Sequence, residues 1–313
     1  MHRTQLPARV EIFEVGPRDG LQNEPAFIAT AEKVQFIDLL TDAGCRRIEV
    51  TGFVHPRWVP QMADAREVCA AIAKRPGVLY TALVPNRKGL ERAIEAGLAA
   101  VVTIMSASES HNRKNLNMSV DESLAAVAEV NQVATAHGIP VRSYIATAYG
   151  CPLEGSVPPD RVADLAVALE RSGSYEIALG DTTGMANPVS AYAVGCLVRD
   201  RLTRASLAVH FHQAGGIEFA NVLASLEAGI AVIDAAAGGL GGCPYAPGAT
   251  GNIATETLVA MLHRMGIATG IDDNKIQEAA AFARRLRAPH EPERAGEVGE
   301  HASGEPALQR RPC

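Results

Sequence analysis

A chain of 313 residues with 47% hydrophobic residues can bury a sizeable core, and with 4% aromatics that core is aliphatic. Its net charge of -6 argues against a nucleic-acid partner but not against an anionic small molecule held by local Arg and Lys. No apolar stretch reaches transmembrane length and the opening M-H-R-T-Q-L-P-A-R carries no apolar signal region, so a cytoplasmic protein with no membrane partner is expected.

In chain order, Val10, Ile12, Phe13 and Val15 read as a strand stopped by Gly16-Pro17, with Arg18, Asp19 and Gly20 just past its tip. Thr30 to Ala43 reads as a helix, with Thr30 as its N-cap and Gly44 as its stop. Arg47 to Thr51 is a strand that carries Glu49, and Gln61 to Ala73 a helix. Val78 to Leu83 is a strand, Asn86 to Ala96 a helix, and Ala100 to Met105 a strand followed by the loop S-A-S-E-S-H-N-R-K-N-L-N. Val120 to His137 is a long helix, Val141 to Ala146 a strand, and Pro158 to Ser172 a helix with Pro near its start. Glu176 to Leu179 is a strand ending in G-D-T-T-G, and Pro188 to Arg201 a helix. Leu207 to Phe211, Glu218 to Ala228, Val232 to Ala236 and Glu256 to Met265 continue the alternation, and Asp272 to Arg287 adds a last helix.

Eight strand-helix units of roughly thirty residues predict an α/β fold, a TIM (β/α)8 barrel over 1–287 with an additional C-terminal helix. An open doubly wound sheet would normally carry a Gly-rich phosphate turn after its first strand, and no G-x-G-x-x-G follows Val15. From Pro289 the chain is charged and rich in Gly and Pro, so 288–313 reads as a disordered charged tail. The cysteines Cys45, Cys69, Cys151, Cys196, Cys243 and Cys313 show no C-x-x-C, as expected of reduced thiols in a cytosolic protein.

Barrel active sites lie at the C-terminal ends of the strands. The polar residues collected there are Arg18, Asp19, Glu49, Ser106, Glu109, Arg142, Asp181, His210, His212, Cys243 and Asn252. His210 and His212 stand two apart on a strand and so share a face, which suits one divalent metal. Asp19 and the Asn252 amide can add oxygen ligands, and a mixed nitrogen and oxygen set fits Mg²⁺ or Mn²⁺, with Zn²⁺ as the alternative. Gly238 to Asn252 holds six glycines and two prolines around the single Cys243, and reads as a mobile lid that brings a thiol to the substrate.

These motifs together resemble the 3-hydroxy-3-methylglutaryl-CoA lyase family. The resemblance rests on E-V-G-P-R-D-G-L-Q-N-E at 14–24, I-E-V-T-G-F-V-H-P-R-W-V-P-Q-M at 48–62, S-A-S-E at 106–109, and N-L-N at 115–117. It continues through G-C-P-L-E-G at 150–155, G-D-T-T-G at 180–184, H-F-H at 210–212 and G-L-G-G-C-P-Y-A-P-G-A-T-G-N-I-A-T-E at 239–256. It implies a metal-dependent barrel that cleaves a branched 3-hydroxyacyl-CoA into acetyl-CoA and a keto acid, as in leucine degradation. It implies metal held by Asp19, His210, His212 and Asn252, and catalytic roles for Arg18, Glu49 and Cys243. Ser106, Arg142, Asp181 and Gln213 join Arg18 as expected substrate-binding residues, and a homo-oligomer, dimer or tetramer, is expected.

The chemistry agrees with the residue types. A retro-Claisen cleavage needs a metal to acidify the hydroxyl, a base for its proton (His210 or Asp19), and a cation, Arg18, near the thioester oxygen. It then needs an acid, Cys243, to protonate the acetyl-CoA carbanion, with Glu49 orienting Arg18 or the metal's waters. After His212 the family usually continues D-T-x-G, where this chain has Gln213-Ala214-Gly215-Gly216. Ser143, and Ser110 with His111, also depart from the family pattern. Gly215 and Gly216 are expected to enlarge the pocket and shift preference toward a bulkier acyl branch. Rival readings are a condensing synthase or aldolase of the same superfamily, a carboxyltransferase, which would want a strand-end Lys, and a barrel that binds metal without catalysis.

Overall fold

The computed structural model describes residues 6–242 and 251–287. Eight strands close into a parallel barrel in sequence order, and β1 pairs with both β2 and β8. They are β1 (Glu11–Glu14), β2 (Arg47–Gly52), β3 (Leu79–Leu83), β4 (Ala100–Ser106), β5 (Val141–Ala146), β6 (Ser174–Asp181), β7 (Ser206–Phe211) and β8 (Val232–Ala235). The expected (β/α)8 architecture is therefore present. Strands buried on both faces need an apolar outer face for the helices and a filled interior. Strand β5 shows how one sequence serves both. Its odd positions, Val141, Ser143 and Ile145, face the helical layer, where Ser143 accepts from Asn131 at 3.2 Å. Its even positions, Arg142 and Tyr144, face inward and reach Asp234 of β8 across the barrel.

The surrounding helices are α1 (Thr30–Ala43), α2 (Ala65–Ala71), α3 (Arg87–Glu95), α4 (Glu109–Leu116), α5 (Val120–Ala136), α6 (Pro159–Arg171), α7 (Pro188–Arg201), α8 (Ile217–Glu227), α9 (Thr255–Arg264) and α10 (Asp273–Leu286). Helix α1 buries Phe36, Ile37 and Leu40, one helical face, and Phe36 stacks at 6.5 Å on Phe282 of α10. The extra C-terminal helix thus closes the wall beside α1. Three local expectations need correction. Ala29, not Thr30, is the N-cap of α1, because Glu32 reaches back to the Ala29 N–H while the Thr30 hydroxyl donates to Asp64 at 2.8 Å. The helix expected from Gln61 starts at Ala65, after a short turn over Pro60–Met62. The polar stretch after β4 is a helix, α4, capped by the Ser108 hydroxyl on the His111 N–H.

No helix among the described residues is long and apolar enough to cross a membrane. Cys45, Cys69, Cys151 and Cys196 are free thiols. Cys243, Cys313 and the segment 288–313 lie outside the described residues.

Candidate active site

Strand β1 ends in a single wide turn, Gly16–Gly20, in which the Asp19 and Gly20 N–H groups return to the Val15 carbonyl at 2.8 and 3.1 Å. Glycine at 16 avoids a clash, since a Cβ there would lie 2.6 Å from Glu14 Oε1 and displace that carboxylate. The turn aims Arg18 and Asp19 over the barrel mouth. Arg18 is almost wholly buried. Its Nε and Nη2 both lie 2.7 Å from Oε2 of Glu49, and its Nη1 donates to Asp19 Oδ1 at 2.8 Å. Burial works against ionisation of Asp19, but the Arg18 charge, with His210 and His212 behind it, outweighs burial and holds the carboxyl at about 2. Glu49 is pulled the other way, raised by burial although Arg18 opposes the rise. Its Oε1 is buried with no hydrogen-bond partner among the described residues.

The other wall comes from β7 and the segment that begins at Gly251. Past Phe211 the chain forms an antiparallel bridge between His212 and Asn252, with Ile253 N–H donating to the Phe211 carbonyl at 3.2 Å. Gly241, at φ 100°, allows the approach, because a Cβ there would meet Asn252 Nδ2 at 2.6 Å. Asn252 Nδ2 donates to Asp19 Oδ2 at 2.7 Å, which joins the two walls. The His210 and His212 rings stand 5.1 Å apart, and burial, aided by the neighbouring His210, pushes His212 down to about 4. A neutral imidazole is the form that binds metal.

The donor set fits a divalent cation. Ligand atoms of Asp19, His210 and His212 all lie within 4.8 Å of one another. Around an ion with bonds of about 2.1 Å, ligand atoms stand at most about 4.2 Å apart, so only a small inward movement is needed. His212 Nδ1 and Asn252 Oδ1 are buried and have no hydrogen-bond partner among the described residues. Buried polar atoms are rarely left so, and one ion would satisfy both.

The structure thus brings Arg18, Asp19, Glu49, His210, His212 and Asn252 together. The other expected residues, Arg142, Ser106, Asp181 and Gln213, each have partners within the protein. Arg142, expected to bind substrate, is fully buried inside the barrel: Nε bonds Glu176 at 2.6 Å, and Nη2 bonds Asp234 at 2.6 Å. With Nη1 also on Asp234, it has no nitrogen free for a ligand, so that expectation is corrected. Ser106 is buried and its hydroxyl pairs with Thr147 at 2.7 Å. Asp181 accepts from the Met185 and Ala186 N–H groups on Oδ1, and burial raises it to about 6. Gln213 donates to the Asn252 carbonyl at 2.8 Å, so it supports a ligand segment. Gly215 and Gly216 are exposed at positive φ, with no atom within 4 Å of an added Cβ. They form a solvent-facing turn with open space beside each glycine.

Sequence reasoning missed Gln22, Tyr144 and Asp234. Gln22 donates to Asp19 Oδ1 at 3.1 Å, Tyr144 donates to Asp234 Oδ2, and Asp234 Oδ2 lies 3.2 Å from His210 Nδ1. The signal for Asp234 was legible: an acid inside the apolar strand V-I-D-A must have a buried partner.

The HMGL-like family model matches residues 9–283. The cytoplasmic 3-hydroxy-3-methylglutaryl-CoA lyase of Rattus norvegicus is 48% identical over 277 residues, 88% of this chain and 81% of that protein. The crystal structure of the HMG-CoA lyase of Bacillus subtilis superposes with a TM-score of 0.87 at 45% identity, covering 92% of this chain and 97% of that one. An HMG-CoA lyase from Acinetobacter baumannii in complex with coenzyme A and 3-methylmalate matches with a TM-score of 0.85 at 36% identity, covering 95% and 98%.

Proposed function

The chain belongs to the HMGL-like family, and from that premise we propose that it is a carbon-carbon lyase acting on 3-hydroxy-3-methylglutaryl-CoA or a close analogue, releasing acetyl-CoA and a keto acid. The observation that carries the proposal is the group of Asp19, His210 and His212, with Asn252 bonded to Asp19 beside it and two buried candidate ligand atoms unsatisfied among the described residues. Asp19, His212 and Asn252, with His210, would hold a divalent cation. The two oxygens and two nitrogens suit Mg²⁺ or Mn²⁺, with Zn²⁺ as the alternative. When bound, the cation would acidify the tertiary hydroxyl of the substrate.

The remaining work falls to this chain's own groups. Asp19, with a pKa of about 2 and both oxygens engaged, is a poor base. His210 is the better one, because Asp234 occupies its Nδ1 and leaves Nε2 for the hydroxyl proton. That lone pair can serve a cation or a proton, never both at once, so in its role as base His210 would leave Asp19, His212 and Asn252 to hold the cation. Arg18, fixed by Glu49, presents positive charge where the thioester oxygen gains electron density. Cys243 is assigned the return of a proton to the acetyl-CoA carbanion from the sequence alone.

An acyl-CoA is therefore the partner proposed, with a cytoplasmic location like that in the rat relative's name. A dimer or tetramer is proposed as well. Exposed Val189 and Tyr192 on α7, with Ile217 and Leu223 on α8, are apolar surface that such a contact would cover. The test is a mass-spectrometric screen of acyl-CoA esters with Mg²⁺ or Mn²⁺ present. Release of acetyl-CoA from a tertiary 3-hydroxyacyl-CoA supports the reading, and no release from any ester refutes it.

A further inference from the structure

We propose that Asp234 is a positioning residue that fixes the proton of His210 on Nδ1 and so keeps the Nε2 lone pair turned into the site; the catalytic part of this rests on the reading of His210 given above. His210 and Asp234 are register partners on β7 and β8, and His210 Nδ1 lies 3.2 Å from Asp234 Oδ2. An ionised carboxylate only accepts hydrogen bonds, so the ring nitrogen facing it must be the one that carries hydrogen. The other nitrogen is then the bare one.

The carboxylate itself is held against rotation. Arg142 grips both oxygens, Nη2 to Oδ1 at 2.6 Å and Nη1 to Oδ2 at 3.2 Å, and the Tyr144 hydroxyl donates to Oδ2 as well. Arg142 and Tyr144 stand two apart on β5, so both reach inward from the same face. Behind Arg142 the charges alternate down the barrel, Glu176 at 2.6 Å and then Arg47 at 2.6 Å from Glu176. A buried charge is tolerated only when so completely paired, and this chain of charges ends on His210, which stands with Asp19 and His212 in the candidate metal group. A merely structural ion cluster has no reason to end on an imidazole.

Asp234→Asn tests the assignment. The Asn amide can donate to His210 Nδ1, which moves the ring proton to Nε2 and blocks the lone pair. Asp234→Asn should lose roughly 10²-fold or more in kcat, with KM for the acyl-CoA moving less than about threefold. Glu176→Gln breaks the same charge chain one link further from the site and is the comparison for a structural effect. It should match the stability loss of Asp234→Asn but keep kcat. Nitrogen-15 NMR of the chelator-treated full chain reads the proton directly: on Nδ1 in wild type and Glu176→Gln, on Nε2 in Asp234→Asn. Equal activity losses in the two variants, or a wild-type His210 protonated on Nε2, overturn the proposal, and the wild-type spectrum decides alone where the variant does not fold. If wild type cleaves no acyl-CoA, the functional reading fails while the spectrum still decides the proton's place.

Discussion

The Asn252 amide is locked by Asp19: Nδ2 donates to Asp19 Oδ2 at 2.7 Å and to the Leu240 carbonyl at 3.0 Å. Both amide hydrogens are committed, so a flipped amide would set oxygen against oxygen. The carbonyl Oδ1 is therefore left facing away from both, buried and unsatisfied. Asn252→Ala should weaken Mn²⁺ binding about tenfold or more, read by electron paramagnetic resonance of free Mn²⁺, with the fold unchanged by circular dichroism. Unchanged affinity removes Asn252 from the ligand set.

Arg18 spans Glu49 and Asp19 with separate nitrogens, a geometry that lysine cannot copy. Arg18→Lys keeps the charge yet leaves Glu49 with a single point contact. A kcat loss of roughly 10²-fold, the scale of one oxyanion donor, is expected in steady-state assays. A change confined to KM would mean that Arg18 only binds substrate.

The barrel was legible because strand and helix periods alternate eight times and glycines mark the ends, as Gly44 does for α1 at φ 103°. Helix α4 was not, because E-S-H-N-R-K-N-L has no apolar stripe to betray a helical period, and its start rests on a serine cap. The same limit governs the site. Asp19, His210, His212 and Asn252 carry metal-binding chemistry in their side chains and could be read as such. Arg142 could not be placed from its strand-end location alone, since whether it faces a ligand or Asp234 depends on what β8 offers across the barrel. Gly215 and Gly216 suggested space, and their positive φ adds a reason that no spacing shows, a turn that favours glycine.

Glu14 offers a test of stability against pH. It is wholly buried, accepts from Gly16, Ala237 and Thr255, and is pushed by burial from 4.5 up to about 7. Between those values the folded chain keeps a proton that the unfolded chain has lost. Stability therefore falls as pH rises across that window, by about 3 kcal/mol in all, and levels off above it. Glu14→Gln imitates the protonated form, with Oε1 for the two N–H groups and Nε2 for the Thr255 hydroxyl. Urea unfolding should find the variant close to wild type at pH 5 and more stable at pH 8. A constant difference at both pH values contradicts the assignment.

Cys243 lies outside the described residues, but the segments that flank it do not. Gly241 and Gly242 lead from Leu240, which packs on Gly20, and Gly251 leads into Asn252. The described residues on either side of Cys243 therefore stand at the metal candidates. Cys243→Ser should lower kcat about 10²-fold, the scale of lost acid-base help, while Cys45→Ser and Cys196→Ser should not. Similar behaviour of all three in the same assay removes the proton-donor role.

The most direct measurement titrates Mn²⁺ into chelator-treated enzyme and follows acetyl-CoA release from 3-hydroxy-3-methylglutaryl-CoA alongside ion occupancy. The account predicts no turnover without the ion, release that rises in step with one bound ion per chain, and equimolar keto acid and acetyl-CoA. It also predicts that His212→Ala needs about tenfold more Mn²⁺ or beyond for the same rate. Full release in the presence of chelator, or wild-type Mn²⁺ dependence in His212→Ala, would contradict it.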